Sequence, residues 1–203
     1  MKIVLATSNG DKVKEIKEFY KEFEIYALSE VLEPFYIDET GKSFKQNALI
    51  KSRAVYEKIC QKGLENEFIS LSDDSGISLP ILNGEPGIYS ARYSLDLVTK
   101  PTDKTNRQKL ISKIKALNLK SSPAFYTACI AVSSKFGDFT THGFMYGDAI
   151  TQERGKNGFG YDFMFIPKGF DKTISELDIE TKLKLSHRSK ALELMRYILK
   201  TIV

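Results

Sequence analysis

Residues 2–28, KIVLATSNGDKVKEIKEFYKEFEIYAL, decide the fold class. Residues 2–6 are mostly apolar and predict a short strand, and residues 7–10 supply turn and helix N-cap types. The pattern of residues 11–23 predicts a helix, and a second strand follows near residues 24–28. A strand, a helix and a strand in this order favour an α/β fold.

The chain beyond residue 28 continues with helices and strands and then a hairpin. Ser43 and Gln46 have the spacing of a capping box, so a helix is expected from there to about Lys62. A strand over 68–72 is expected to end in the turn Asp73-Asp74-Ser75-Gly76. Strands are also expected at 77–82 and 163–167, a basic helix at 103–117, and a hairpin of two strands at 125–134 and 140–150. A C-terminal helix is expected to carry Leu192, Met195, Leu199 and Ile202 on one face. We therefore expect an α/β fold with a long mixed sheet, flanking helices and a single domain, residues 1–203, of two lobes around a central cleft.

Composition narrows the class of protein. The 203 residues are 42% hydrophobic, without a run long enough to span a membrane, and the short apolar start is unlike a signal peptide, so we expect a cytoplasmic protein with no membrane contact. The net charge of +4 is mild and lacks a lysine or arginine block, so no nucleic-acid partner is expected. Cys60 and Cys129 are interpreted as buried apolar residues rather than disulfide or metal residues.

Two segments suit a phosphate. The turn between the first strand and helix precedes a helix N-terminus, whose backbone N–H groups can cradle an anion; the alternative is an ordinary capped helix. On the second helix Asn47 and Lys51 are four residues apart and share a face, so Lys51 can bind phosphate or extend to solvent. The candidates in the turn are Thr7, Ser8, Asn9, Gly10, Asp11 and Lys12.

Three carboxylates are candidates for a metal. Asp73 and Asp74 follow an apolar strand, and two adjacent carboxylates repel each other unless a divalent cation or a lysine offsets them. Glu39 is a third carboxylate in a turn. The alternatives are a solvated aspartate turn and a surface glutamate.

A glycine-rich aromatic segment, Asn157-Gly158-Phe159-Gly160-Tyr161-Asp162, is a candidate for binding a base. Glycines allow close approach of a ligand, and an aromatic ring can stack on a base; the alternative is a bend between strands. Lys182, His187 and Arg188 form a last candidate group near the start of the final helix, while His142 is interpreted as structural.

Five segments together resemble the inosine/xanthosine triphosphate pyrophosphatase family, the Ham1-like enzymes. They are residues 6–16 (ATSNGDKVKEI), 39–54 (ETGKSFKQNALIKSRA), 72–94 (SDDSGISLPILNGEPGIYSARYS), 157–167 (NGFGYDFMFIP) and 184–192 (KLSHRSKAL). Each motif alone is weak, but five in family order, spanning nearly the whole chain, are specific.

The resemblance implies an elongated, homodimeric enzyme that hydrolyses ITP, dITP and XTP with Mg²⁺ to the monophosphate and pyrophosphate. It implies that Glu39, Asp73 and Asp74 serve the metal and that Asp74 accepts the proton. The Thr7–Lys12 turn, Asn47 and Lys51 would bind phosphates. The residues that would contact the rest of the nucleotide are Ser75, Phe159, Gly160, Tyr161, Asp162, Lys182, His187 and Arg188.

Some features depart from the family pattern or leave alternatives open. Asp11 is an acid in the phosphate turn, where it must cap the helix or face away, and the chain has no tryptophan to stack on a base. Donors on His187, Arg188 or neighbouring backbone N–H groups at the helix start are expected to favour 6-oxo purines over adenine. Alternatives are a Maf-like nucleotide pyrophosphatase with another base preference and a non-catalytic nucleotide- or RNA-binding module.

Overall fold

The computed structural model describes residues 1–202 and contains one six-stranded sheet. The strands are β1 (Lys2–Leu5), β2 (Ile25–Ala27), β3 (Phe68–Ser78), β4 (Ser121–Ser134), β5 (Gly137–Ile150) and β6 (Phe165–Pro167). Their order in the sheet is β2-β1-β3-β4-β5-β6. β1 pairs in parallel with β2 and β3, whereas β6 pairs antiparallel with β5. The expected α/β fold with a mixed sheet is therefore confirmed.

Six α-helices accompany the sheet within residues 1–202. They are α1 (Gly10–Phe19), α2 (Leu28–Val31), α3 (Phe44–Gln61), α4 (Asp103–Ala116), α5 (Ile179–Leu185) and α6 (His187–Ile202). Two of the predicted N-caps are confirmed: Asn9 caps α1 and Ser43 caps α3, each by accepting from backbone N–H groups of the first turn. None of the helices in this range is long and apolar enough to cross a membrane.

The largest departure from the sequence prediction lies in β3. Asp73 and Asp74 were expected in a turn between two strands, but residues 68–78 form one continuous strand. Burial along nearly its whole length overrides the turn preference of Asp, Ser and Gly, because strand formation depends mainly on packing. Since successive strand residues point to opposite faces, the two adjacent carboxylates are directed apart.

The chain forms two compact units. The first unit comprises residues 1–74, 128–143 and 188–203, and the second comprises residues 75–127 and 144–187. In the first, Ile3, Leu5 and Ile69 of the sheet pack with the predicted α6 stripe of Leu192, Met195 and Leu199. The second has its own core, which includes Ile77, Leu110, Tyr126, Tyr161 and Phe165. Each unit thus carries an apolar core of its own.

Three smaller predictions need correction. The separate strand expected at 77–82 does not form, because β3 ends at Ser78 and residues 80–82 form a 3₁₀ turn that begins at Pro80. Cys129 is buried as expected, but Cys60 is exposed on α3, because the adjacent Ile59 occupies the buried face of that helix. The strand expected at 163–167 begins only at Phe165, because residues 162–164 form a single 3₁₀ turn.

Candidate functional site

Lys51 is the centre of a buried ionic group in the first unit. Its Nζ lies 2.9 Å from Asp74 Oδ1 and 3.2 Å from Glu39 Oε1. The residue is 8% exposed, so the alternative that Lys51 extends to solvent is wrong. One turn earlier on α3, Asn47 Oδ1 accepts a 2.8 Å hydrogen bond from the Gly41 backbone N–H and thereby ties the turn that carries Glu39 to the helix.

Asp73 belongs to a separate ionic group in the same unit. Its Oδ2 accepts a 2.6 Å hydrogen bond from Arg188 Nε and lies 3.6 Å from Lys12 Nζ. Arg188 also contacts Glu15 of α1 through Nη1. Asp73 and Arg188 are both almost fully buried, and a buried charge is tolerated only when it is paired in this way.

The two neighbouring carboxylates therefore have different protonation behaviour. Burial opposes ionisation of Asp73, but Arg188 and Lys12 outweigh it and hold its pKa below the ordinary value. Burial raises the pKa of Asp74, and the adjacent Lys51 offsets this only in part. Burial also acts against the ammonium of Lys51, yet Asp74 and Glu39 raise its pKa. Asp73 is thus a fixed anion, whereas Asp74 is the stronger proton acceptor.

The carboxylates suit a hard cation that the substrate helps to bind. Asp73 Oδ1 and Asp74 Oδ2 are buried, and neither has a hydrogen-bond partner within residues 1–202. An unpaired buried acceptor is unfavourable by about 1–3 kcal/mol, which a cation would relieve. No group of three or more His, Cys, Asp and Glu side chains in the described chain is arranged to hold a metal without other ligands. Asp73 and Asp74 point to opposite faces of β3, and the assignment of Glu39, Asp73 and Asp74 to a metal stays a prediction.

The turn between β1 and α1 is a capped helix start. Asn9 Oδ1 accepts hydrogen bonds from the N–H groups of Asp11 and Lys12, at 2.9 and 3.1 Å, and Thr7 Oγ1 accepts from Asn9 N–H. The expected free N–H groups at residues 11 and 12 are therefore engaged. Asp11 is exposed in the first turn, where a negative charge complements the helix dipole. Ser8 and Gly10 are exposed as well.

In the second unit the predicted aromatic segment forms a tight loop. Asp162 Oδ2 accepts from the Phe159 N–H at 3.1 Å and from Lys182 Nζ at 3.0 Å. Lys182 Nζ also lies 4.9 Å from the centre of the Phe159 ring, and Tyr161 Oη donates to the Ser90 carbonyl at 2.8 Å. A Cβ at position 158, where φ is +105°, would lie 2.4 Å from Asp162 Oδ2, so the turn requires glycine there.

His187 and Arg188 are neighbours in sequence but belong to different groups. The His187 ring stacks on Tyr126 of the second unit, with centroids 4.5 Å apart and planes at 17°. Arg188 contacts Asp73 and Glu15 of the first unit. The side chains of consecutive helical residues point about 100° apart around the helix axis, so those of His187 and Arg188 point in different directions. The contacts of Arg188 favour a role with the carboxylates rather than the expected role as a donor to a base.

Several residues of these groups were not anticipated. Glu15 follows Lys12 by three residues and so shares its face of α1, which was the only signal for it in the sequence. Tyr126 lies in β4, far along the chain from His187, and its alternating strand pattern gives no sign of the stacking. Ser75, which was predicted to contact substrate, is half-buried at the start of the second unit.

Comparisons with known proteins agree over the whole chain. Residues 3–198 match the sequence model of the Ham1 family. A dITP/XTP pyrophosphatase of Campylobacter concisus (strain 13826) is 69% identical, in an alignment that covers 100% of this chain and 98% of the relative. The solved structure of the Staphylococcus aureus Ham1 protein has a TM-score of 0.82 and 33% identity, with 100% of both chains covered. A HAM1 protein from Coxiella burnetii has a TM-score of 0.83 and 33% identity over 99% of each chain.

Proposed function

Because this chain belongs to the Ham1 family, we propose that its buried carboxylates and lysines are the machinery of a non-canonical purine nucleotide hydrolase. The protein is a nucleoside-triphosphate pyrophosphatase, and its substrates are non-canonical purine triphosphates. The observation that carries the proposed mechanism is the separate pairing of the two adjacent carboxylates, Asp74 with Lys51 and Asp73 with Arg188 and Lys12. We assign ITP, dITP and XTP as substrates, and the monophosphate and pyrophosphate as products.

The first unit provides the charges that a triphosphate requires. Lys12, Lys51 and Arg188 are cations held close to carboxylates, and substrate phosphates would compete with those carboxylates for them. Thr7, Ser8, Asn9, Gly10 and Asp11 stay assigned to the phosphates, with rearrangement of the Asn9 cap when the anion binds. Asn47 keeps the turn of Glu39 in place.

Enzymes of this family generally depend on a metal ion, and we assign Mg²⁺. Mg²⁺ is usually held by one or two carboxylates together with substrate phosphates and water, so the absence of a complete protein cage within residues 1–202 is compatible with it. Asp73 Oδ1 or Asp74 Oδ2 would hold it, with Glu39 nearby. When bound, it neutralises phosphate charge and polarises the phosphoryl group.

Asp74 is assigned the proton step. Its carboxylate orients a water and accepts a proton from it while the water oxygen forms a bond to the α-phosphorus. The bond between the α-phosphorus and the bridging oxygen breaks, and pyrophosphate leaves. Asp73 remains ionised because Arg188 and Lys12 hold its charge, so it contributes electrostatic positioning rather than proton transfer.

The second unit is assigned the purine. Phe159 would stack on the base, with Gly160, Tyr161 and Asp162 shaping the loop and Lys182 bracing it. His187, fixed by stacking on Tyr126, and backbone N–H groups are the donors assigned to the 6-oxo edge. An adenine amino group would place donor against donor, and leaving a buried donor unpaired costs about 1–3 kcal/mol. Ser75 is assigned a substrate contact.

Release of pyrophosphate from ITP tests the proposed function directly. We expect release with Mg²⁺, loss of release in excess EDTA, and recovery with Mg²⁺ before Ca²⁺, whose looser coordination misplaces the water. A panel of ITP, dITP, XTP, ATP and GTP should give the highest kcat/KM for the first three. Full activity in excess EDTA would refute the metal assignment, and ATP turnover within about tenfold of ITP would refute the base selectivity, because two mismatched hydrogen bonds should exceed that factor.

The resemblance also implies a homodimer that acts on the cytoplasmic nucleotide pool, and we retain both as proposals. The mass of the protein in solution, measured by light scattering after gel filtration, tests the assembly. A mass of 23.0 kDa would indicate a monomer and contradict it.

A further inference from the structure

Helix α4 holds both backbone groups of Gly160 in the second unit. Asp103 Oδ2 accepts a hydrogen bond from the Gly160 N–H at 2.7 Å, and Arg107 Nη1 donates to the Gly160 carbonyl at 2.7 Å. Asp103 and Arg107 are four residues apart and therefore lie on one face of the helix. Gly160 follows Phe159 directly in the chain. The side chains of Asp103 and Arg107 therefore fix the backbone next to the Phe159 ring.

Arg107 is itself fixed on several sides. The residue is 8% exposed, its Nε contacts Glu153, and its guanidinium lies 4.5 Å from the centre of the Phe163 ring. A planar guanidinium can satisfy an acid, a carbonyl and an aromatic face at the same time, which an ammonium cannot. The position of Arg107 is thus determined by three contacts within the second unit.

The start of α4 is anchored to the segment that also holds the loop. Asn106 Oδ1 accepts from the Ser94 N–H at 2.8 Å, and Asn106 Nδ2 donates to the Ala91 carbonyl at 3.0 Å. Tyr161 Oη in turn donates to the carbonyl of Ser90. Hydrogen bonds therefore connect three segments to one another: residues 90–94, α4 and the loop 159–162. Displacement of any one segment breaks hydrogen bonds to another.

We propose that Asp103 and Arg107 are positioning residues that set the affinity and selectivity of the Phe159–Asp162 loop for the purine. The inference rests on the proposed function of this loop. Neither residue needs to touch the nucleotide, because each acts through Gly160. The hydrogen bond that Asp103 accepts is charge-assisted, and Asp103 lies in the first turn of α4. Loss of either contact would free the backbone next to Phe159 and widen the range of bases that the loop accepts.

The test compares Asp103→Ala with Asp103→Asn and with a control at a carboxylate outside the helix that also pairs with α4. Asp96→Ala is the control, because the Asp96 carboxylate pairs with α4 through Lys109, whereas Asp103 pairs with Gly160. For Asp103→Ala we expect a rise of about tenfold in KM for ITP, with kcat changed less than about threefold, since one charge-assisted hydrogen bond is lost while the carboxylates are untouched. The ratio of kcat/KM for ITP over GTP should fall. Asp103→Asn keeps an acceptor oxygen and should recover most of both values.

Hydrogen exchange of the backbone amides in residues 157–162 gives a readout independent of turnover. It should accelerate in Asp103→Ala and in Arg107→Lys, and stay unchanged in Asp96→Ala. A merely structural role would lower the melting temperature without changing KM or selectivity, and that result would overturn the inference. So would values of KM and of the ITP-to-GTP ratio within twofold of wild type in Asp103→Ala.

Failure of the proposed function is distinguishable from failure of this inference. If the wild type releases no pyrophosphate from ITP, the proposed function is wrong, and the Kd for ITP measured by calorimetry then replaces KM. The inference is supported if Asp103→Ala weakens that Kd and Asp96→Ala does not. It is overturned if Asp103→Ala binds ITP as tightly as wild type, or if the wild type binds no ITP.

Discussion

The two units hold their functional side chains by different means. In the first unit the charged groups hold one another, since Lys51 bridges Asp74 and Glu39 while Arg188 pairs with Asp73. In the second unit the backbone of the Phe159–Asp162 loop is held by its own Asp162 and by Asp103 and Arg107 of α4. Removing one charge from the first arrangement leaves another charge buried and unpaired, whereas the second distributes its restraint over several contacts. The first unit should therefore be the more sensitive to single substitutions.

The difference between the two units corresponds to a difference between the groups assigned to the reaction and those assigned to selectivity for the base. Burial opposes ionisation of both carboxylates, but the cations beside Asp73 outweigh it and lower that pKa, whereas Lys51 does not outweigh it at Asp74, whose pKa is raised. A loop of hydrogen-bonded backbone with an aromatic ring provides shape and stacking. Substitutions at Asp73, Asp74 and Arg188 in the first unit should accordingly change kcat or stability, and those in the loop of the second should change KM and selectivity.

Arg188→Ala should have the largest effect of the substitutions considered. It leaves the fully buried Asp73 without its closest cation, so the free energy of unfolding should fall by about 3–5 kcal/mol. Chemical denaturation monitored by circular dichroism in EDTA measures this loss. Arg53→Ala is the control, because that arginine makes an exposed pair with Asp138 and should change stability little. Equal losses in the two variants would contradict the distinction between buried and exposed pairs.

The effect of Arg188→Ala should also depend on pH. The pKa of Asp73 is lowered in the folded protein, so its contribution to stability is present above its unfolded pKa of about 3.9 and is lost as pH falls towards the lower folded value. The stability difference between wild type and Arg188→Ala should therefore be constant from about pH 7 to pH 5 and shrink below about pH 4. A difference that grows as the pH falls would show that another group is responsible.

Asp74→Asn should lower kcat by at least about 10²-fold, the usual size of a general-base effect. An amide cannot accept the proton from water, but it keeps the shape of the side chain and an oxygen for Lys51. Steady-state pyrophosphate release measures kcat, and circular dichroism checks the fold. Asp138→Asn, on a carboxylate outside the cluster, is the control. Near-normal kcat in Asp74→Asn would show that Asp74 is not the base.

Phe159→Ala should raise KM for ITP with a smaller change in kcat. Stacking of a base on an aromatic side chain contributes about 1–3 kcal/mol, which corresponds to a rise of about 5- to 150-fold. Phe136→Ala, at an exposed phenylalanine of the β4–β5 turn, is the matched control. A large fall in kcat with unchanged KM in Phe159→Ala would contradict the assignment of base binding to the second unit.

Lys182→Ala should give the smallest effect on activity, a rise in KM of about threefold to tenfold from one partly buried, charge-assisted contact. Lys184→Ala on the same helix is the control, since Lys184 pairs with Glu180 on the surface and should leave KM unchanged. Identical KM values in the two variants would remove Lys182 from the residues that support the loop.

Many elements could be predicted because their signals are local. The βαβ opening, the caps at Asn9 and Ser43 and the apolar stripe of α6 depend on residues within a few turns of one another. The continuous strand through Asp73 and Asp74 could not, because residues 72–76 have turn-forming types and become strand only when the surrounding unit buries them. The same holds for Cys60, whose exposure depends on which face of α3 is packed.

The sequence by itself determined the family, the fold class and the residue types that carry the reaction, since five ordered motifs and a strand–helix–strand opening can be identified without coordinates. Only the tertiary structure decided which groups pair. The contacts of Arg188 with Asp73, Lys51 with Asp74, and Asp103 with Gly160 join residues 115, 23 and 57 positions apart. The physical reason is range: caps and periodicity act over a few residues, whereas burial, ion pairing and the resulting pKa shifts depend on segments that only folding brings together.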